Sequence, residues 1–330
     1  MPSFSVIIPV YNRPDEIGEV LESLSRLEYT DFEVIVVDDG STLPCADVVR
    51  SFSGRLTLSY IRQNNAGPGA ARNTGAAKAA SPWYIFFDSD CLIPNGYFGP
   101  VNLRLAQGSV DAWGGPDRAH ASFTPVQKAI NYAMTSFLTT GGIRGSKRKL
   151  DRFYPRSFNM GVSRKAFEAC GGFSGMRFGE DLDLSMRLSA RGFVSVLIPG
   201  AFVYHKRRTR FSQFFKQVFN SGIARIHLYK RHPHSLKVVH FLPSGFLIYL
   251  VLALPGVWFA TWLAVPLAAY ILLLALHALY LTASPATALL SVIASCVQLT
   301  AYGGGFLGAF VKRVVFDQTE YTAFLRNFYK

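Results

Sequence analysis

Two carboxylates stand one residue apart in "FFDSDC" (86–91), where Asp88 and Asp90 close an apolar run. Like charges at that spacing repel, so the pair needs a reason. A hydrated turn is one, because Asp and Ser favour turns. A divalent cation, which needs hard oxygen ligands, is the other. A second acidic group, Glu180, Asp181 and Asp183 in "GEDLDLSMR" (179–187), begins a helical pattern, where the helix dipole also favours acids. Each local explanation suffices alone. They fit less well together in a chain with 34 Lys and Arg against 21 Asp and Glu.

The elements around these acids alternate. Short β-rich runs, "FSVIIPV" (4–10), "FEVIVVD" (32–38), "LTLSYIR" (56–62) and "WYIFFD" (83–88), are separated by helical patterns, the form of a mostly parallel α/β sheet. In "DEIGEVLESLSRL" the residues Ile17, Val20, Leu21, Leu24 and Leu27 share one helical face. Ligands of open parallel sheets bind beyond the carboxyl ends of the strands. Those ends read Tyr11 and Asn12, Asp38 and Asp39, Asn64 and Asn65, then Asp88 and Asp90. Four polar strand ends thus converge on one rim.

Beyond residue 110, "VDAWGG" and "FVSVLIP" read as strands, and "RKAFEACGGF" and "EDLDLSMRLSARG" as helices. The stretch 120–157, with a basic cluster at 147–149, reads as an insertion or mobile loop. Among familiar motifs, GxxxxGK[ST], HExxH and GxSxG are absent. A GxGxxG string at Gly303 to Gly308 lies in an apolar tail with no strand before it, so it does not signal dinucleotide binding.

The chain has 330 residues, half of them hydrophobic, and a formal net charge of +13. That balance points to an anionic partner. Between Lys206 and Lys237 there are nine Lys or Arg and no acid, while Val238 to Val311 carries no Asp, Glu, Lys or Arg. The uncharged stretch far exceeds the roughly 20 apolar residues that cross a bilayer. It divides into three pieces, 241–260, 262–283 and 286–311, with prolines and the "GGG" at 303–305 as punctuation, and admits two to four crossings. Basic residues before it, and Lys312 and Arg313 after it, read as cytoplasmic flanks of a multi-pass inner-membrane region. The basic stretch, rich in aromatics, suits an interfacial helix on anionic lipid better than nucleic acid. "MPSFSVIIPVYN" reads as a first strand and not a signal peptide. Four scattered cysteines form no CxxC, which argues against a disulfide framework.

In order and spacing, "SVIIPVYNRPDEI", "VIVVDDGST", "NNAGPGAARNTG", "FFDSDC", "FNMGVSRKAFEACGGF", "GEDLDLSMRL" and His205 resemble family 2 glycosyltransferases of the GT-A fold. The resemblance implies a GT-A domain over 1–205, while charge and hydropathy predict a basic juxtamembrane segment over 206–239, a transmembrane region over 240–311 and a cytoplasmic tail over 312–330. It implies that Pro9, Tyr11 and Asp39 hold the nucleoside base, with Asp38 and Arg72 nearby, and that Asn65, Gly67, Asp88 and Ser89 complete the nucleotide-sugar site. Asp90 and Asp88, matching the DxD motif, and His205 would hold Mg²⁺ or Mn²⁺. Asp181 would be the general base and Glu180 would orient it or the acceptor.

The processive members carry a QxxRW motif, whereas "QVFNS" (217–221) has the Gln without Arg or Trp, so a single-sugar transfer fits better. The expected activity is inverting, metal-dependent transfer from a nucleotide sugar to a polyprenyl-linked saccharide at the membrane. Transfer to a bare polyprenyl phosphate is the near rival, and a non-catalytic nucleotide-binding scaffold is the rival from another class. A transporter is disfavoured by the absence of charge within the apolar spans.

Overall fold

The computed structural model describes residues 3–120, 122–141 and 153–321. The basic cluster at 147–149 and the tail beyond residue 321 lie outside the described residues. Contacts group residues 3–120 with 153–206 in one unit, and 122–141 with 207–321 in another.

The first unit opens β1 (Phe4–Val10), α1 (Pro14–Ser25), β2 (Phe32–Asp38), α2 (Ala46–Arg50), β3 (Leu58–Arg62) and α3 (Pro68–Lys78). It continues through β4 (Trp83–Phe87), β5 (Cys91–Leu92), α4 (Phe98–Ala106), β6 (Ala112–Gly114) and β7 (Asp117–Arg118). After the second unit's first helices come β8 (Asn159–Ser163), α7 (Arg164–Ala169), α8 (Glu180–Ala190), β9 (Ser195–Leu197) and β10 (Val203–His205). Seven strands form one sheet in the order β3-β2-β1-β4-β8-β6-β9, in which only β8 runs antiparallel to its neighbours. This is the mostly parallel α/β architecture that the alternating pattern predicts, consistent with the GT-A fold that the resemblance implies.

β1 is apolar at nearly every position because both its faces are covered, as in buried parallel sheets. Val6, Ile8 and Val10 enter a core with Ile17 and Leu21 of α1 and Phe98 of α4. Ile7 enters the opposite core with Ala71 of α3, Phe167 of α7 and Leu184 of α8. A smaller sheet, β5-β10-β7, sets His205 directly opposite Cys91 in an antiparallel pair.

The second unit contains α5 (Pro125–Thr135), α6 (Phe137–Thr140), α9 (Phe211–Arg231), α10 (Leu242–Gly256), α11 (Val265–Thr282) and α12 (Pro285–Phe310). Where the sequence suggests a loop over 120–157, Thr124 and Gln127 form a reciprocal capping box and start α5. Its Ile130 and Ala133 pack with Phe214 of α9 and Ala294 of α12.

Three segments, Val238–Gly256, Thr261–Thr282 and Pro285–Val315, are long and apolar enough to cross a membrane. The "GGG" at 303–305 is not punctuation, because α12 runs through it. A Cβ at Gly305 would lie 2.0 Å from the Phe219 carbonyl of α9, and one at Gly303 2.5 Å from the Pro243 carbonyl of α10. The glycines let helix backbones touch, as small residues do at helix interfaces in lipid. The inner face of α9, including Phe214, Ile223 and Ile226, is correspondingly buried within the unit. The apolar side expected to rest among headgroups is thus taken up by neighbouring helices.

One cross-strand pair gives a direct test of the sheet. Gly161 of β8 faces Trp113 of β6, and a Cβ at Gly161 would lie 2.0 Å from the indole ring. Trp113 is fully buried against Phe4 and Trp83 and has nowhere to move. Gly161→Ala is expected to cost about 1–3 kcal/mol by overpacking, read as a lower melting temperature by tryptophan fluorescence. An unchanged melting temperature would refute this packing.

Candidate active site

The ends of β1 and β2 are tied by side chains that copy backbone partners. Asn12, at φ +54°, accepts the Thr42 and Leu43 amides on its Oδ1 at 2.7 and 3.0 Å. Asp38 is fully buried and accepts the Ser41 amide at 2.8 Å and the Tyr60 hydroxyl at 2.7 Å. Burial pushes its carboxyl up, but these bonds outweigh burial and leave it below its ordinary value. Asp39 accepts Gln63 Nε2 at 2.7 Å, the Ala66 amide at 2.9 Å and the Gly67 amide at 2.8 Å. Here burial wins and the carboxyl is raised. Asn65 donates to the Asp39 carbonyl at 2.8 Å. Asp39, Asn65 and Gly67 therefore form one folded corner, with Pro9 buried in β1 and Tyr11 half-buried just beyond it.

Arg72 joins the two acidic groups. It projects from α3, 3% exposed, and donates through Nη2 to Asp88 Oδ1 at 2.6 Å and through Nη1 to Glu180 Oε1 at 2.9 Å. The Phe173 ring lies 5.4 Å from the guanidinium carbon. A buried cation needs such pairing, since leaving it alone in a low-dielectric interior is costly. Strand-end and helix-start acids, far apart in sequence, are thus fixed on one planar fork.

At the start of α8, Gly179 takes φ +83°, a conformation glycine adopts without penalty, and turns the chain so that Glu180 and Asp181 face inward. Asp181 Oδ2 accepts Arg156 Nε at 2.7 Å and the Ser157 amide at 3.3 Å, while Oδ1 accepts the Leu182 amide at 2.7 Å. A carboxylate has about four acceptor positions, so with these partners among the described residues one is left on Oδ1. Burial pushes the Asp181 carboxyl up, but the Arg156 cation overcomes this and holds it below its ordinary value. Glu180 behaves oppositely. Burial, aided by the Asp181 charge, pushes it up to about 7 against the pull of Arg72. Asp183 is directed elsewhere, to Arg187 Nε at 2.9 Å, and serves the helix.

Ser89 is buried between the two acids of the DSD turn. Asp90 Oδ1 lies 3.1 Å from His205 Nε2, and its Oδ2 accepts from Arg13 Nη1 at 3.3 Å. The backbone ties the same turn to β10, with the Lys206 amide donating to the Asp90 carbonyl at 3.0 Å. Phe158 stacks on the His205 ring, centroids 5.0 Å apart. Among the described residues one trio, Asp90, Cys91 and His205, brings possible ligand atoms within 4.8 Å of one another. A carboxylate oxygen beside an imidazole nitrogen suits Mn²⁺ or Mg²⁺ with phosphate oxygens completing the shell, so these residues fit the implied cation. Burial, with the charges of Asp90 and Asp88, pushes the Cys91 thiol well above its ordinary range.

Arg13 and Arg156 are neighbours of the candidate site that sequence reasoning missed. Arg13 stands directly after "VYN" and was within reach of notice. Arg156, in "YPRSFN", has no local signal, because only the fold brings it to Asp181.

The sequence profile of Glycosyl transferase family 2 matches residues 5–178. Validoxylamine A glucosyltransferase of Streptomyces hygroscopicus is 43% identical over 96 residues, 28% of this chain and 23% of that protein. The poly(ribitol-phosphate) beta-N-acetylglucosaminyltransferase TarS of Staphylococcus aureus is 40% identical over 115 residues, 34% of this chain and 19% of that protein. The matches therefore span about a fifth of these relatives' lengths. Among solved structures, mannosyltransferase PcManGT from Pyrobaculum calidifontis, in complex with GDP-Man and Mn2+, superposes with TM-score 0.59 at 19% identity, over 96% of this chain and 88% of that one. With the profile covering more than half its length, the chain belongs to glycosyl transferase family 2.

Proposed function

We propose that the chain transfers a single sugar, with inversion, from a nucleotide-sugar donor to a membrane-associated, polyprenyl-linked saccharide acceptor. The observation that carries the reading is the Arg72 fork, which ties the DSD turn to the Glu180–Asp181 helix start. Donor chemistry and proton abstraction need those two groups side by side.

In this reading Asp39, Pro9, Tyr11, Asn65 and Gly67 form the nucleoside wall, and Asp38 keeps its corner rigid. Asp88 and Ser89 face the ribose and diphosphate. Asp90 and His205, with Asp88, would hold Mg²⁺ or Mn²⁺, which when bound neutralises charge on the departing nucleoside diphosphate as a Lewis acid. The open position on Asp181 Oδ1 accepts the proton of the acceptor hydroxyl. The acceptor oxygen forms the bond to the anomeric carbon as the bond to the diphosphate breaks on the opposite face. GDP-Man and Mn2+ in the mannosyltransferase of like fold are of the same chemical classes as the proposed donor and cation.

The membrane side of the proposal has its own support. Lys230 pairs with Asp317 at 2.7 Å and Arg231 with Glu320 at 2.9 Å. The residues just before and just after the apolar region thus lie together, which an even number of crossings requires, so in this reading one of the three apolar segments does not cross. Basic residues at both ends favour the cytoplasmic side of the inner membrane.

Asp181→Asn is expected to lower transfer by about 10²–10⁴-fold with donor binding kept, measured by sugar release and by calorimetric titration of the nucleotide sugar. Unchanged turnover would refute the assignment. The raised Glu180 carboxyl favours a second reading in which Glu180 is the base. The pH profile separates them. Asp181 is held low by Arg156, so an Asp181 base gives an acidic limb well below pH 7, whereas a Glu180 base places it near 7. Arg156→Gln removes the cation, raises the Asp181 carboxyl and moves the acidic limb to higher pH if Asp181 is the base. A limb that starts near 7 and moves little assigns the proton to Glu180, whose interaction with Arg156 is weaker than that of Asp181.

A further inference from the structure

Cys91 adds a sulfur to a site that oxygen and nitrogen would suffice to build. Its Sγ belongs to the trio whose ligand atoms lie within 4.8 Å of one another, and its backbone is paired directly with that of His205. The thiol is fully buried and donates to the Phe158 carbonyl at 3.5 Å. The imidazole is held in plane by the Phe158 ring, so two of the three donors lean on the same residue. Buried His205 Nδ1 has no hydrogen-bond partner among the described residues.

Metal preference follows donor type. Mg²⁺ takes hard oxygens in an octahedron and gains little from sulfur. Zn²⁺, and Co²⁺ after it, bind Cys, His and carboxylate together in tetrahedral sites, with bonds of about 2.0–2.3 Å. Such bonds set donors roughly 3.3–3.7 Å apart, within side-chain adjustment of the present trio. We propose that Asp90, Cys91 and His205 form a mixed oxygen, sulfur and nitrogen site that takes a thiophilic divalent cation of the Zn²⁺ class, without nucleotide, in preference to Mg²⁺. On binding, sulfur forms a bond to the cation and the thiol proton passes to solvent. This deepens the metal-assisted reading of the same site, by giving the cation position a selectivity that two carboxylates would not have.

The test uses the full chain in detergent and Co²⁺ alone as the probe. Wild type is expected to develop a near-ultraviolet thiolate-to-cobalt absorbance that saturates at one equivalent and is displaced by Zn²⁺ but not by equimolar Mg²⁺. Cys91→Ser is expected to abolish the band and to weaken Zn²⁺ binding at least about tenfold, the equivalent of 1.4 kcal/mol. Asp90→Asn, at the more accessible edge, is expected to weaken Co²⁺ binding to a similar degree and serves if the Cys91 variant does not fold. No band in wild type, a band that persists in Cys91→Ser through another cysteine, or Co²⁺ affinity unchanged in Asp90→Asn would each overturn the proposal. Mn²⁺-supported sugar transfer in the same preparation leaves the enzymatic reading standing if the band is absent. Conversely, a band without turnover of any nucleotide sugar keeps this inference and removes that reading.

Discussion

The candidate site depends on a buried cation that cannot be left alone. Arg72 is enclosed by α3, the DSD turn and the start of α8, and its fork spans Asp88 and Glu180. An unpaired guanidinium there would carry a desolvation penalty of several kcal/mol, so the acids are held as firmly as they hold it. The planar fork also sets direction, because both contacts lie in one plane at hydrogen-bond distance. Two segments with no local reason to meet are thereby registered against each other. The small face of α3, with Ala71, Gly75 and Ala76 buried, brings the helix close enough to the sheet for the side chain to reach.

Around that fork the acids divide their labour. Asp38 and Asp39 spend their oxygens on backbone amides and neutral side chains, and so shape the corner between β2 and α3. Asp88, Asp90, Glu180 and Asp181 are each held by an arginine, from Arg72, Arg13, Arg72 and Arg156 respectively. The result is an acidic floor kept near neutral by fixed cations. Differences in burial and pairing then separate neighbours: Glu180 is pushed up and Asp181 held down, though they adjoin in sequence.

Much of the first unit is legible in the sequence because its strands are buried on both faces, and runs such as "FSVIIPV" and "FEVIVVD" leave little else to be. The strand-end acids were legible for a related reason, since a charged residue ending an apolar run marks where the sheet meets solvent. The Arg72 fork was not, because its partners lie 16 and 108 residues away. Arg156 beside Asp181 was hidden in the same way. The capping box of α5 was readable at Thr124 and Gln127 but was masked by the polar segment that follows. The glycines of α12 misled, since Gly reads as a breaker in water and as a contact surface between helices.

That contact surface has a mechanical corollary. Where Gly222 and Gly305 bring α9 and α12 backbone to backbone, the helices cannot slide along each other without a carbonyl striking an α-carbon. The exposed cations Lys230 and Arg231 at the end of α9 therefore ride at a set height on α12. Any slide would also part Lys230 from Asp317 and Arg231 from Glu320, so glycine packing and ion pairs fix the same register between the two helices.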